Sequence, residues 1–200
     1  MLGRPADFIP LCDGWVLLAD AEGRRVRALN AVVGRDGPAF ELPGRPGDLE
    51  LDEEALQLYV ALPEQLALGI VDLPTGDVEI VPLGMRILGI SLAPDGVFVF
   101  GRSDLFSNPA LHWLAADSTT LEGPWPVHAG DGWYNAPRGE LLTGAISRYS
   151  FDPISGPIEL DTSALNVRER LSVSPDGSLI ATVGYRWGYR LLVFDAADLS

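Results

Sequence analysis

Gly44-Arg45-Pro46-Gly47-Asp48 repeats Gly3-Arg4-Pro5-Ala6-Asp7, forty-one residues after its first appearance. Outward from this pair, the chain meets a series of turn markers: Asp13-Gly14, Glu54-Ala55, Asp95-Gly96, Arg138-Gly139 and Asp176-Gly177. The steps between them are 41, 41, 43 and 38 residues. A unit of this size cannot bury its own apolar face and must stack on its neighbours.

Each unit divides into four short runs. In the second, Asp48–Leu51 precedes the turn 52–55, then come Leu56–Ala61 and Leu68–Asp72, with Val78–Val81 outermost. The first unit offers Gly14–Leu18, Arg25–Leu29 and Ala39–Leu42; the third offers Ile90–Leu92, Val97–Phe100, Leu111–Leu114 and a degenerate outer edge near Trp125. The fifth runs Leu171–Val173, Leu179–Val183 and Leu191–Phe194. Alternating or continuous apolar runs cut by Gly, Pro and Asp are strand and hairpin signals. Asp bonds its own backbone in such turns, and Gly supplies positive φ. The period predicts an all-β chain, a β-propeller built from four-stranded blades of forty-one residues, about five units with the last incomplete. The blades are expected at 1–42, 43–83, 84–125, 126–165 and 166–200 of a single propeller region, the fourth being the least regular. No helix of convincing length is expected, and Asp52-Glu53-Glu54 is assigned to a turn. Ser200 falls where the fifth outer strand should begin, so a fragment of a larger propeller is expected. A complete five-bladed ring and closure by self-association through open blade edges are the alternatives.

Composition bounds the function. Two hundred residues with 47% apolar content can bury a sizeable core. The apolar stretches are too short to span a membrane as a helix, and Met1-Leu2-Gly3-Arg4-Pro5 opens no signal peptide, so a cytoplasmic location is expected. A net charge of −14 argues against a nucleic-acid partner. All 14 basic residues are arginine, a pattern that codon bias in a GC-rich genome explains, as would selection for bidentate contacts. Cys12 is alone and is expected to be a packed thiol.

Three segments resemble the YVTN and NHL propeller repeats, relatives in architecture of the WD40 family. They are Gly44-Arg45-Pro46-Gly47, Ala93-Pro94-Asp95-Gly96 and Ser174-Pro175-Asp176-Gly177. Gly14–Asp20 followed by Arg25-Val26-Arg27 is similar to the NHL strand that ends in Ala-Asp before Arg-Val. Asp72-Leu73-Pro74-Thr75-Gly76 and Phe194–Asp198 resemble the YVTN Asp-x-x-Thr-Gly turn. The Gly-His and Trp-Asp markers of true WD40 blades are missing. The resemblance implies a propeller and covers four of the five units, the fourth departing from it. It implies no single activity, since such repeats serve as binding scaffolds, lactone-opening enzymes and redox partners.

In such folds ligands sit where the outer-to-inner connections meet the loops between second and third strands. The first set contains Arg45, Asp48, Arg86, His128, Asp131, Arg168 and Arg170; the second contains Asp104, Phe106 and Asn108, then Tyr185, Arg186, Trp187 and Tyr189. Arg45, Asp104, Phe106, His128, Asp131, Tyr185, Arg186, Trp187 and Tyr189 form the expected ligand or partner face, because large aromatics exceed what a turn needs. Covering of sheet edges is the other role open to the aromatics. Asp7 and Asp48 recur at one blade position, which points to linker bonding. His112 is expected to be structural, and His128 is the better acid–base candidate. Two histidines sixteen apart and one cysteine make no zinc site, and no catalytic set, metal site or cofactor motif is expected. The function expected is a non-catalytic binding or scaffold propeller for a protein or small ligand. The alternative is part of a lactonase-like hydrolase, with Asp48, Asp104 and Asp131 on a divalent ion and His128 carrying protons.

Overall fold

The computed structural model describes residues 6–104, 107–116, 118–127, 132–143, 147–152, 155–162, 171–174, 176–184 and 190–196. Among these the chain is built of antiparallel sheets, each with its strands in sequence order. The first sheet holds β1 (Phe8–Pro10), β2 (Trp15–Asp20), β3 (Arg25–Asn30) and β4 (Arg35–Glu41). The second holds β5 (Leu49–Asp52), β6 (Gln57–Leu62), β7 (Ala67–Asp72) and β8 (Val78–Pro82), and the third β9 (Arg86–Ala93), β10 (Gly96–Arg102), β11 (Ala110–Ala115) and β12 (Leu121–Pro126). The fourth holds β13 (Gly132–Asn135), β14 (Glu140–Thr143), β15 (Ser147–Asp152) and β16 (Gly156–Thr162). The described part of the last holds β17 (Leu171–Val173), β18 (Leu179–Gly184) and β19 (Arg190–Asp195). One 3-10 turn, Cys12–Gly14, is the sole helical element among the described residues. It leaves Cys12 exposed, so the expectation of a packed thiol is corrected: the thiol sits on a tight turn outside the sheet.

The turns follow from their acids. Asp52 Oδ1 accepts from the Glu54 and Ala55 N–H groups (3.0 and 2.9 Å), and Asp72 Oδ1 accepts from the Thr75 N–H and the Thr75 hydroxyl (2.8 and 2.7 Å). Each carboxylate closes its hairpin turn, and in the first it does so across Glu53 and Glu54. Ser174-Pro175-Asp176-Gly177 is tied more densely. Asp176 Oδ1 accepts from Ser174 Oγ at 2.6 Å and Ser178 Oγ at 2.8 Å, while Ser174 Oγ accepts from Leu179 N at 2.9 Å. Those bonds hold the Asp176 carboxyl down to about 2.

Two compact units divide the described chain, residues 1–90 with 102–106 and residues 91–101 with 107–200. In the first unit, Leu17, Ala19, Val26, Ala28 and Phe40 of the first sheet share a core with Leu49, Leu58, Val60 and Val71 of the second. Their alternation with partly exposed neighbours is the period-2 pattern of a strand. In the second unit the core is aromatic. Phe98 meets Phe151 edge-on at 4.6 Å and Trp113 at 4.7 Å, and Trp125 meets Phe151 at 5.6 Å. Such tilted pairs contribute beyond their buried area, by about 0.5–1.5 kcal/mol each.

Proline marks the outer strands. Pro38, Pro82, Pro124, Pro126 and Pro157 all lie in β4, β8, β12 or β16, whereas no described second or third strand contains one. Proline cannot donate to a ladder and blunts an exposed edge, so its place is an outer strand.

Candidate functional site

The outer-to-inner connection between β4 and β5 is pinned over the end of β6. Gly47 N–H donates to Ala61 O at 2.8 Å, and Ala61 N–H returns a bond to Asp48 O at 2.9 Å. Gly44 lies against the Gln65 side chain, where a Cβ would collide. Next to it, Arg45 Nη1 stands 3.7 Å from Glu64 Oε1 of the β6–β7 turn, with both side chains more than half exposed. The two kinds of loop therefore meet here, over the fully buried Leu62. An ion pair this exposed contributes between nothing and about 1 kcal/mol. Its two charges, donor fork and carboxylate, are displayed to solvent and suit polar recognition.

Arg45 and Asp104 are the two expected face residues that are described; Asp104 is exposed in the β10–β11 connection. Phe106, His128, Asp131, Tyr185, Arg186, Trp187 and Tyr189 lie outside the described residues, as do Arg168 and Arg170. His112 is half-buried on β11, and burial lowers its affinity for a proton, which favours the neutral imidazole. Among the described residues no three His, Cys, Asp or Glu side chains converge as a metal site would require.

Asp7 and Asp48 have a specific task. Leu49 N–H, opening β5, donates to Asp7 Oδ2 at 3.0 Å. Forty-two residues on, Ile90 N–H of β9 donates to Asp48 Oδ2 at 2.9 Å. In the second unit, Tyr134 N–H of β13 donates to Ser91 Oγ of β9 at 2.7 Å, and Asn135 Nδ2 donates to Gly177 O at 3.0 Å. A side chain on one inner strand, or just before it, thus fastens the backbone of the next inner strand or of the turn that follows it. Ser91 and Asn135 escape sequence reading because neither repeats the Asp; only the near-forty-two-residue offset would have revealed them.

No protein-family model and no curated protein matches this chain. Solved structures do. Hydrazine synthase of Kuenenia stuttgartiensis superposes with a TM-score of 0.69 at 14% identity, over 97% of this chain and 63% of that one. A streptogramin B lyase gives 0.66 at 14%, over 96% and 68%. A structural-genomics protein of unknown function from Bacteroides thetaiotaomicron gives 0.69 at 13%, over 95% and 55%. The chain thus spans roughly half to two thirds of the length of these structures. The four-stranded antiparallel sheets and these likenesses make the fold a β-propeller. At such identities they speak for the fold alone.

Proposed function

We propose that this propeller, of the YVTN/NHL repeat type, is a binding scaffold that performs no chemistry. Its loop face would take a protein or a small ligand through Arg45 and Asp104, joined by Phe106, His128, Asp131, Tyr185, Arg186, Trp187 and Tyr189. The observation that carries this reading is the exposed Arg45–Glu64 pair where the two kinds of loop meet above a fully packed strand end. A rigid base beneath exposed polar side chains is what recognition on a loop surface needs.

The metal-assisted alternative would need Asp48, Asp104 and Asp131 to hold a divalent ion, which would polarise a carbonyl and activate water. Asp48 Oδ2 accepts the Ile90 amide, so in such a site Asp48 would combine a ligand role with the structural one it already has. The deciding experiment has two arms. Partner capture by immobilised protein should fall when Arg45→Ala is combined with Trp187→Ala and Tyr189→Ala, and unchanged capture would reject this face. Calorimetric titration with calcium, magnesium or manganese should give no heat; saturable heat abolished by Asp131→Asn would favour the hydrolase instead.

A further inference from the structure

The connection Gly44-Arg45-Pro46-Gly47-Asp48 has a counterpart one unit later, at Met85-Arg86-Ile87-Leu88-Gly89. Hydrogen bonding fixes the correspondence. Leu49 N–H donates to Asp7 and Ile90 N–H to Asp48, and each amide lies four residues after its arginine. Of the five positions only the arginine is kept. The two glycines, the proline and the aspartate, which shape the earlier copy, give way to Met85, Ile87, Leu88 and Gly89, so the path of the chain does not explain Arg86. Arg4 holds the same position in the first unit, outside the described residues.

Burial repeats as well. Gly44 and Pro46 are buried on either side of an exposed Arg45, and the buried Met85 and Ile87 flank an exposed Arg86. Both connections lean on one turn, that between β6 and β7. Gly44 abuts Gln65 and Arg45 pairs with Glu64, while the Leu83 and Gly84 N–H groups donate to Leu66 O at 2.9 and 3.0 Å. Elsewhere arginines are spoken for: Arg25, Arg27, Arg138 and Arg148 each have a carboxylate of their own sheet within 3.6 Å. Arg86 has no carboxylate partner among the described residues. Arg45 has the exposed Glu64, a weak hold in water.

We propose that Arg45 and Arg86 form a binding site for a small anion, a molecule bearing carboxylate or phosphate groups. Such a site rests on the binding role proposed above for that loop surface and names what the surface takes. Guanidinium forks match carboxylate and phosphate oxygens bidentately. Charge sets the size of the ligand. At −14 the chain repels an acidic protein or a nucleic acid as a whole, whereas a small anion feels chiefly the charges within a Debye length, about 8–10 Å. On binding, the anion replaces Glu64 at Arg45. Calorimetric titration with citrate and with pyrophosphate at low ionic strength tests the site. At least one should give saturable heat at one site per chain, weakened by added salt. Arg45→Ala and Arg86→Ala should each raise Kd about tenfold or more, the scale of a charged hydrogen bond, with thermal unfolding confirming that both variants fold. Glu64→Gln removes the competing carboxylate and should lower Kd roughly two- to fivefold. Arg35→Ala, at the opposite end of β4 from the connection, should leave Kd unchanged. No heat from either anion, a wild-type Kd in Arg86→Ala, no gain in Glu64→Gln, or an equal loss in Arg35→Ala would each overturn the proposal. Partner capture by the Arg45, Trp187 and Tyr189 triple variant separates the two readings. If capture falls while Arg86→Ala binds the anions as wild type does, the ligand class is wrong and the loop face stands.

Discussion

Arg24, Leu56 and Leu66 adopt φ of 50°, 53° and 52°, the left-handed region, at the last position of the hairpin turns after β2, β5 and β6. That conformation costs an L-residue about 1–2 kcal/mol, whereas glycine enters it freely at some entropic expense. Arg24 is exposed, so its side chain supports little packing. Arg24→Gly should raise the unfolding free energy by roughly 0.5–1 kcal/mol, read by urea denaturation. Asp72 and Asp176 were legible as turn acids in the sequence from their Asp-x-x-Thr-Gly and Pro-Asp-Gly contexts. The left-handed leucines were not, because no composition rule places leucine there. Asp176 also gives a pH signature. Its folded value, about 2, lies below the unfolded one. The stabilisation it provides is therefore complete above about pH 4 and is lost as the pH falls towards 2. Asp176→Ala should flatten the loss of stability across that window, as measured by denaturation at steps between these limits.

At the scale of elements, strands with a plain alternation or an unbroken apolar run were the easiest to read. The mixed run Leu56–Ala61 anticipated β6, and the continuous apolar run Val97–Phe100 anticipated the centre of β10, buried on both faces. The fourth sheet was harder: its strands β13 and β14 have four residues each, and Ser147, Arg148 and Ser150 interrupt the apolar pattern of β15. Its aromatic residues carry the packing instead, since Phe151 touches Phe98, Trp113 and Trp125. Burial decides which side chains matter most. Leu58 is fully buried between sheets and Leu179 is 47% exposed. Leu58→Ala should cost about 2–5 kcal/mol through lost contacts and an unfilled cavity. Leu179→Ala should stay within about 0.5 kcal/mol in the isolated chain. Thermal or urea unfolding of both variants checks the contrast.

For the whole molecule, the forty-one-residue period was enough to read the propeller, because each blade repeats the same hydrophobic and turn chemistry. The site was much less legible. The residues proposed for it come singly from loops far apart in the sequence, so no linear motif joins Arg45 to Asp104, and the fold serves many activities. What the sequence did carry was the recurrence of Asp7 and Asp48, read there as linker bonding; the partners of the two carboxylates, the Leu49 and Ile90 amides one blade on, were not legible. The central structural claim is that successive inner strands are fastened by side chains one blade apart. Site-resolved amide hydrogen exchange on Asp48→Ala tests it most directly. Loss of a charged hydrogen bond of about 1.5–3 kcal/mol should speed exchange at Ile90 by roughly ten- to a hundredfold. The Leu49 amide, held by Asp7, should keep its protection. Unchanged exchange at Ile90, or equal loss at Leu49 and Ile90, would contradict a blade-to-blade fastening of this kind.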